Sequence, residues 1–175
     1  MKNIFLTGEV GAGKSTVIDK VLSLLPFVEW GGFRTVSAAP LTDGAMLDVF
    51  LEKSWDQTPH DIEHLVGSRL YDGQFNSYPS TFDTTGASIL ASCPENAILI
   101  VMDELGLMES DAKDFQKAVM NTLDGCLPVL GVIKPKPSEF LNAIRSHEKS
   151  EIFEVTKENR DALPYIIVEL LSSNG

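Results

Sequence analysis

The eight residues Gly8-Glu9-Val10-Gly11-Ala12-Gly13-Lys14-Ser15 fit the pattern G-x-x-x-x-G-K-[ST], and their flanks constrain the fold more than any other stretch of the chain. Before them, Asn3-Ile4-Phe5-Leu6-Thr7 is a short apolar run of the kind that forms a buried parallel strand. After them, Ile18, Val21, Leu22 and Leu25 fall at helical spacing and Pro26 supplies a stop. A strand that turns through glycines into a helix aims backbone N–H groups and the positive end of the helix dipole at one point. That point suits the phosphates of a nucleotide. Gly8, Glu9, Val10, Gly11, Ala12, Gly13 and the following Thr16 are expected to line the phosphates, with Lys14 bridging the terminal two and the Ser15 hydroxyl on Mg²⁺.

The remaining chain alternates strands and helices. Gly31 to Val36 reads as a second strand, and Ala45 to Glu52, entered through the turn residues 40–44, reads as its hairpin partner. The stretch 54–88 is broken by Pro59, Gly67, Gly73, Pro79 and Gly86, and reads as loops followed by a helix from about Thr84. Ala97 to Met102 is the most apolar run and ends in Asp103-Glu104. A helix with Ser110 near its N-cap and Gly125 past its end comes next, then a strand over 128–133 closed by Lys134. A short helix over 138–145, a strand over 152–155 and a last helix complete the series. Pro164 must sit in the first turn of that helix, which places its start near 159–161. Such alternation predicts an α/β fold in three layers, a mostly parallel sheet with helices on both faces and an added β-hairpin.

At 175 residues, with 43% hydrophobic content, the chain is expected to be one domain over residues 1–175. No apolar run reaches the roughly 18–20 residues that span a bilayer, and no charged leader precedes the first strand. Cys93 and Cys126 are isolated and read as buried free thiols, so the expected location is cytoplasmic and no membrane partner is expected. The net charge of −11 argues against nucleic acid as a partner. It also makes a divalent cation more necessary at a polyanionic ligand, so Mg²⁺ is the expected cofactor.

Asp103 ends a buried strand, where open α/β sheets gather their ligands, and a carboxylate there completes a metal site with Ser15. Glu104, beside it, is placed to orient or deprotonate a water attacking the γ-phosphorus. Glu104 and Lys14 are therefore the catalytic candidates. Lys134 and Arg160 are the candidates for contacts to base or phosphates; Arg34, Arg69, Arg145 and Arg160 could each supply transition-state charge, although all four read as surface or helix-face arginines by default. His60 and His64, four apart and without a third ligand, read as an exposed helix face; Trp30, Phe33 and Trp55 read as packing residues. Hydrolysis of a nucleoside triphosphate is the leading function. A small-molecule or nucleotide kinase, with an acceptor pocket in 54–88, and a nucleotide-gated binding module with an unknown protein partner are the alternatives.

Five blocks also carry a resemblance. Thr7 to Thr16, Gly32 to Thr35, Val66 to Ser68, Met102-Asp103-Glu104-Leu105-Gly106-Leu107-Met108-Glu109, and Val155 to Asp161 occur in the order and spacing of the small P-loop nucleoside-triphosphatases. The resemblance covers nearly the whole chain. It implies a RecA-like P-loop fold, slow Mg²⁺-dependent hydrolysis of several triphosphates, ATP and GTP among them, and nucleotide contacts from 8–15 and around 98–105. The chain departs from the family pattern at Arg34, where an aromatic is usual, around 69–80, and at Leu105, where isoleucine is usual.

Overall fold

A computed structural model describes residues 2–25, 29–41 and 43–173. Strand β1 (Asn3–Thr7) leads through the glycine loop into helix α1 (Lys14–Leu24). Strands β2 (Glu29–Ala38), β3 (Ala45–Lys53), β4 (Leu65–Leu70) and β5 (Phe75–Ser77) follow. A continuous helical stretch then consists of α2 (Pro79–Thr81), a π-helical turn over Phe82–Gly86, and α3 (Ala87–Ala91). The chain continues through β6 (Ala97–Leu105), α4 (Lys113–Asp124), β7 (Val129–Ile133), α5 (Glu139–Ser146), β8 (Ser150–Glu154) and α6 (Leu163–Ser172).

The eight strands make one sheet in the order β5-β4-β3-β2-β6-β7-β1-β8. Pairing is parallel from β2 through β8 and antiparallel among β2, β3, β4 and β5. Strand β6, which carries Asp103, thus lies two places from β1, with β7 between them. Side chains alternate across the sheet, as the pleat dictates. Ile4, Leu6, Leu99, Val101 and Val132 pack under α1 and α6 with Val17, Ile18, Val21 and Ile167. Phe5, Ile100, Met102, Val129 and Ile133 face the opposite way, with Phe115 and Val119 of α4 and Leu141 and Ile144 of α5. Helices on both faces bury both sets, which is why the cores of β1, β6 and β7 are apolar runs.

Several expectations need correction. The predicted hairpin is the first half of a longer antiparallel extension, because β4 and β5 continue it inside the stretch expected to be loops. The helix expected from Thr84 begins at Pro79, whose fixed φ suits a first turn. Ser110 does not cap α4; its hydroxyl donates to Leu107 O at 2.7 Å. The cap comes from a distant residue instead: Asp83 Oδ1 accepts from Phe115 N at 2.9 Å, three residues into the helix. Helix α6 starts at Leu163, later than predicted, with Pro164 in its first turn as required. His60 and His64 lie outside any helix: His60 contacts Glu52 at 2.5 Å and stacks on Phe50, and His64 contacts Asp61 at 2.7 Å. Cys93 is half-buried and Cys126 exposed, both free. Pro26 and Thr42, assigned to a helix stop and a turn, lie outside the described residues.

Candidate functional site

The loop between β1 and α1 is held by its glycines. Gly8 has φ 133° and Gly13 φ 100°, values that side chains with a Cβ rarely adopt. Gly8 also presses on β8's continuation: a Cβ there would sit 2.6 Å from Val155 O. Lys14 folds back over the loop, its Nζ donating to Gly8 O at 2.9 Å and Glu9 O at 2.8 Å. These carbonyls hold the ammonium in the hollow that phosphate oxygens would share. Glu9, Val10 and Gly11 form the exposed tip, whereas Gly8 and Ala12 are buried.

The Ser15 hydroxyl, in the first turn of α1, donates to Asp103 Oδ1 at 3.2 Å across 88 residues of sequence. Asp103 is only 6% exposed. Burial raises its pKa, opposed by the Ser15 hydrogen bond and the positive charge of Arg34, which stands in register with it on β2. A buried carboxylate beside a hydroxyl is a hard-oxygen pair suited to Mg²⁺, which binds through one or two protein oxygens plus phosphate and water. Among the described residues no cluster of three or more His, Cys, Asp or Glu is arranged for a metal.

Glu104 follows on the same strand and pairs with Lys134, Nζ to Oε1 at 2.9 Å. The pairing follows from the sheet, since Lys134 N donates to Leu105 O at 2.9 Å just past the end of β7. Arg145 braces the segment after β7 through Lys134 O at 2.6 Å and Lys136 O at 3.2 Å. Arg160 lies over Gly13, its Cδ 3.6 Å from where a Cβ would be. With Thr16, Lys20, Asp161 and Pro164 it borders a cavity of about 510 Å³ beside the loop. Arg69 is exposed on β4, separated in the sheet from β6 and β1 by β3 and β2.

Three features had no clear sequence signal. Arg34 pairs with Asp19 of α1 at 2.7 Å. Next to that pair opens a cleft of about 970 Å³ bordered by Trp30, Arg34, Lys53, Trp55 and His60; the tryptophans pack against the two cores as expected and also line this cleft. Glu109, quoted above only as part of a motif, is a fully buried acid next to the Glu104–Lys134 pair. Its position six residues after Asp103, past a glycine, was the available hint.

Comparison with known proteins bears on the family and the fold. A family model described as NTPase matches residues 3–168. A Methanosarcina acetivorans protein named nucleoside-triphosphatase THEP1 is 31% identical over 170 residues, covering 94% of this chain and 93% of that protein. A Bos taurus protein named cancer-related nucleoside-triphosphatase homolog is 29% identical, covering 98% of each. The solution structure of a human cancer-related nucleoside triphosphatase superposes with a TM-score of 0.70 at 26% identity, covering 99% of this chain and 98% of that one. The crystal structure of THEP1 from Aquifex aeolicus gives the same TM-score at 23% identity over 97% of this chain and 98% of that one, a likeness of fold.

Proposed function

The chain belongs to the NTPase family, and on that premise we propose that it is a single-domain cytoplasmic enzyme hydrolysing nucleoside 5′-triphosphates to diphosphate and phosphate, slowly, with Mg²⁺ and with broad base tolerance. ATP and GTP are the first substrates to test. The observation that carries this reading is the 3.2 Å contact of Ser15 with Asp103, which joins the phosphate loop to the carboxylate strand. The loop amides of residues 8–13 and the Lys14 ammonium take the β- and γ-phosphates, Lys14 exchanging its loop carbonyls for phosphate oxygens. Ser15 and Asp103 hold the Mg²⁺, which when bound neutralises phosphate charge. Glu104 orients the attacking water and accepts its proton. Thr16 and Arg160 border the cavity taken by the nucleoside.

Phosphate release measured on ATP and GTP, with Mg²⁺ and with EDTA, tests this. Glu104→Ala is expected to lower kcat by about 10²–10⁴ while nucleotide still binds, the usual contribution of a positioned base. Wild-type turnover in that variant would remove Glu104 from the role.

One observation favours the kinase as a second reading. The large cleft ends at Arg34, in register with Asp103, and the Arg34 Nε is buried without a hydrogen-bond partner. A planar acceptor lying between Trp30, Trp55 and Arg34 would reach the phosphate end of the sheet. Faster diphosphate release on adding a nucleoside, with a phosphorylated product in place of free phosphate, is the expected sign of that activity. No stimulation across a nucleoside and nucleoside-monophosphate panel would eliminate it.

A further inference from the structure

The chemistry above leaves Glu109 unused. Its side chain is fully buried. Oε1 accepts the Gly106 backbone N–H. Oε2 is buried too and has no hydrogen-bond partner. A buried carboxylate without compensation costs several kcal/mol, so an acid in this position invites a cation. The charged groups acting on it are Lys134, which favours its ionised form, and Glu104, which opposes it.

Lys134 is well placed to be that cation. Its stem runs against Gly106, where an added Cβ would sit 2.9 Å from Lys134 Cδ. The lysine therefore passes over the residue whose amide Glu109 holds. Its ammonium rests on Glu104 Oε1 at 2.9 Å, and the lysine side chain is 40% exposed. One flexible ammonium stands near two carboxylates, and the second of these has an open oxygen. Lysine suits such an exchange, because a point charge on a four-carbon stem moves by rotamer changes alone.

We propose that Lys134 alternates between Glu104 and Glu109, and that Glu109 is a positioning residue that draws the ammonium off Glu104 for the hydrolytic step. The inference rests on the reading of Glu104 as the proton acceptor. While Lys134 sits on Oε1, its ammonium takes up one of the two Glu104 oxygens and competes there with the attacking water. With the ammonium on Glu109, Glu104 takes the water proton as the new oxygen–phosphorus bond forms. The bond from the γ-phosphorus to the bridging oxygen breaks, and the nucleoside diphosphate leaves with that electron pair. Lys134 and Glu109 exchange no proton with the substrate.

The test is steady-state phosphate release at pH 8, above the value of about 7 at which the Glu109 carboxyl loses its proton, by Glu104→Gln, Glu109→Gln, Lys134→Met and the Glu109→Gln/Lys134→Met pair, with folding followed by thermal melts. Glu109→Gln should lower kcat with little change in KM, since it strands the ammonium on Glu104. Lys134→Met, alone, should raise kcat a fewfold. In the double variant most of the Glu109→Gln loss should vanish, a coupling of roughly 5- to 100-fold. A purely structural Glu109 would give a loss that Lys134→Met does not repair, and that result overturns the proposal. Should Glu109→Gln not fold, a large drop in kcat for Lys134→Met alone overturns it equally. If Glu104→Gln turns over like wild type, the failure belongs to the assignment of the base instead.

Discussion

Burying the Glu109 carboxyl beside the Gly106 amide raises its pKa to about 7 from an ordinary value of 4.5, and desolvation is the main cause. The folded state then holds a proton that the unfolded chain has released. Its contribution to stability is fully present below about pH 4.5 and is lost as pH rises through about 7. The loss is on the order of 3 kcal/mol. Glu109→Gln removes the titration and should gain stability over wild type at pH 8, with the gain shrinking towards pH 5. Urea melts of both proteins across that range would show it, and parallel curves would contradict it. Sequence alone did not disclose this residue's burial, because an acid after a Gly-Leu-Met stretch looks like any loop glutamate. Lys14, Ser15 and Asp103 were legible for the opposite reason: their chemistry is tied to a fixed spacing and to the ends of apolar strands.

The helical stretch over residues 79–91 meets α4 at the Phe115 ring and at the Asp83 cap. Phe115 is fully buried, with ring centroids 5.3 Å from Phe33 and 5.1 Å from Phe82, and Gly86 leaves room for it where a Cβ would come within 2.8 Å of its ring. Phe115→Ala should cost about 3–5 kcal/mol. For a chain of this size that lowers the melting temperature by roughly 6–20 °C. Asp83→Ala, which strips the cap from α4, should cost about 0.5–2 kcal/mol, so the two melts are expected in that order. The cap explains one limit of sequence reading. Asp83 lies 32 residues from the amide it serves, whereas caps read from sequence are sought beside the helix. Strands β4 and β5 were missed on similar grounds. They are short, β5 is exposed along its whole length, and neither presents the buried apolar run that marked β1, β6 and β7.

Placing β7 between β1 and β6 decides which side chains meet at the phosphate end of the sheet. Local sequence marks β1, β6 and β7 but not their order, so the Ser15–Asp103 contact was foreseeable and the Glu104–Lys134 pair was not. Ligand linkage should appear at this scale as well. Nucleotide with Mg²⁺ at a hundredfold excess over its dissociation constant adds about 2.7 kcal/mol to stability. The corresponding rise in melting temperature is roughly 5–11 °C. EDTA, or Lys14→Ala, should remove most of that rise in a thermal-shift assay; a shift that survives both would place the nucleotide elsewhere. The α1 side of β2 offers a separate readout. The chain has two tryptophans, Trp30 and Trp55, and both border the cleft beside Arg34, while neither belongs to the phosphate loop or to the cavity beside Arg160. The protein's intrinsic emission is therefore a local signal from that cleft, so a molecule settling there would change the fluorescence directly, whatever occupies the loop around Lys14.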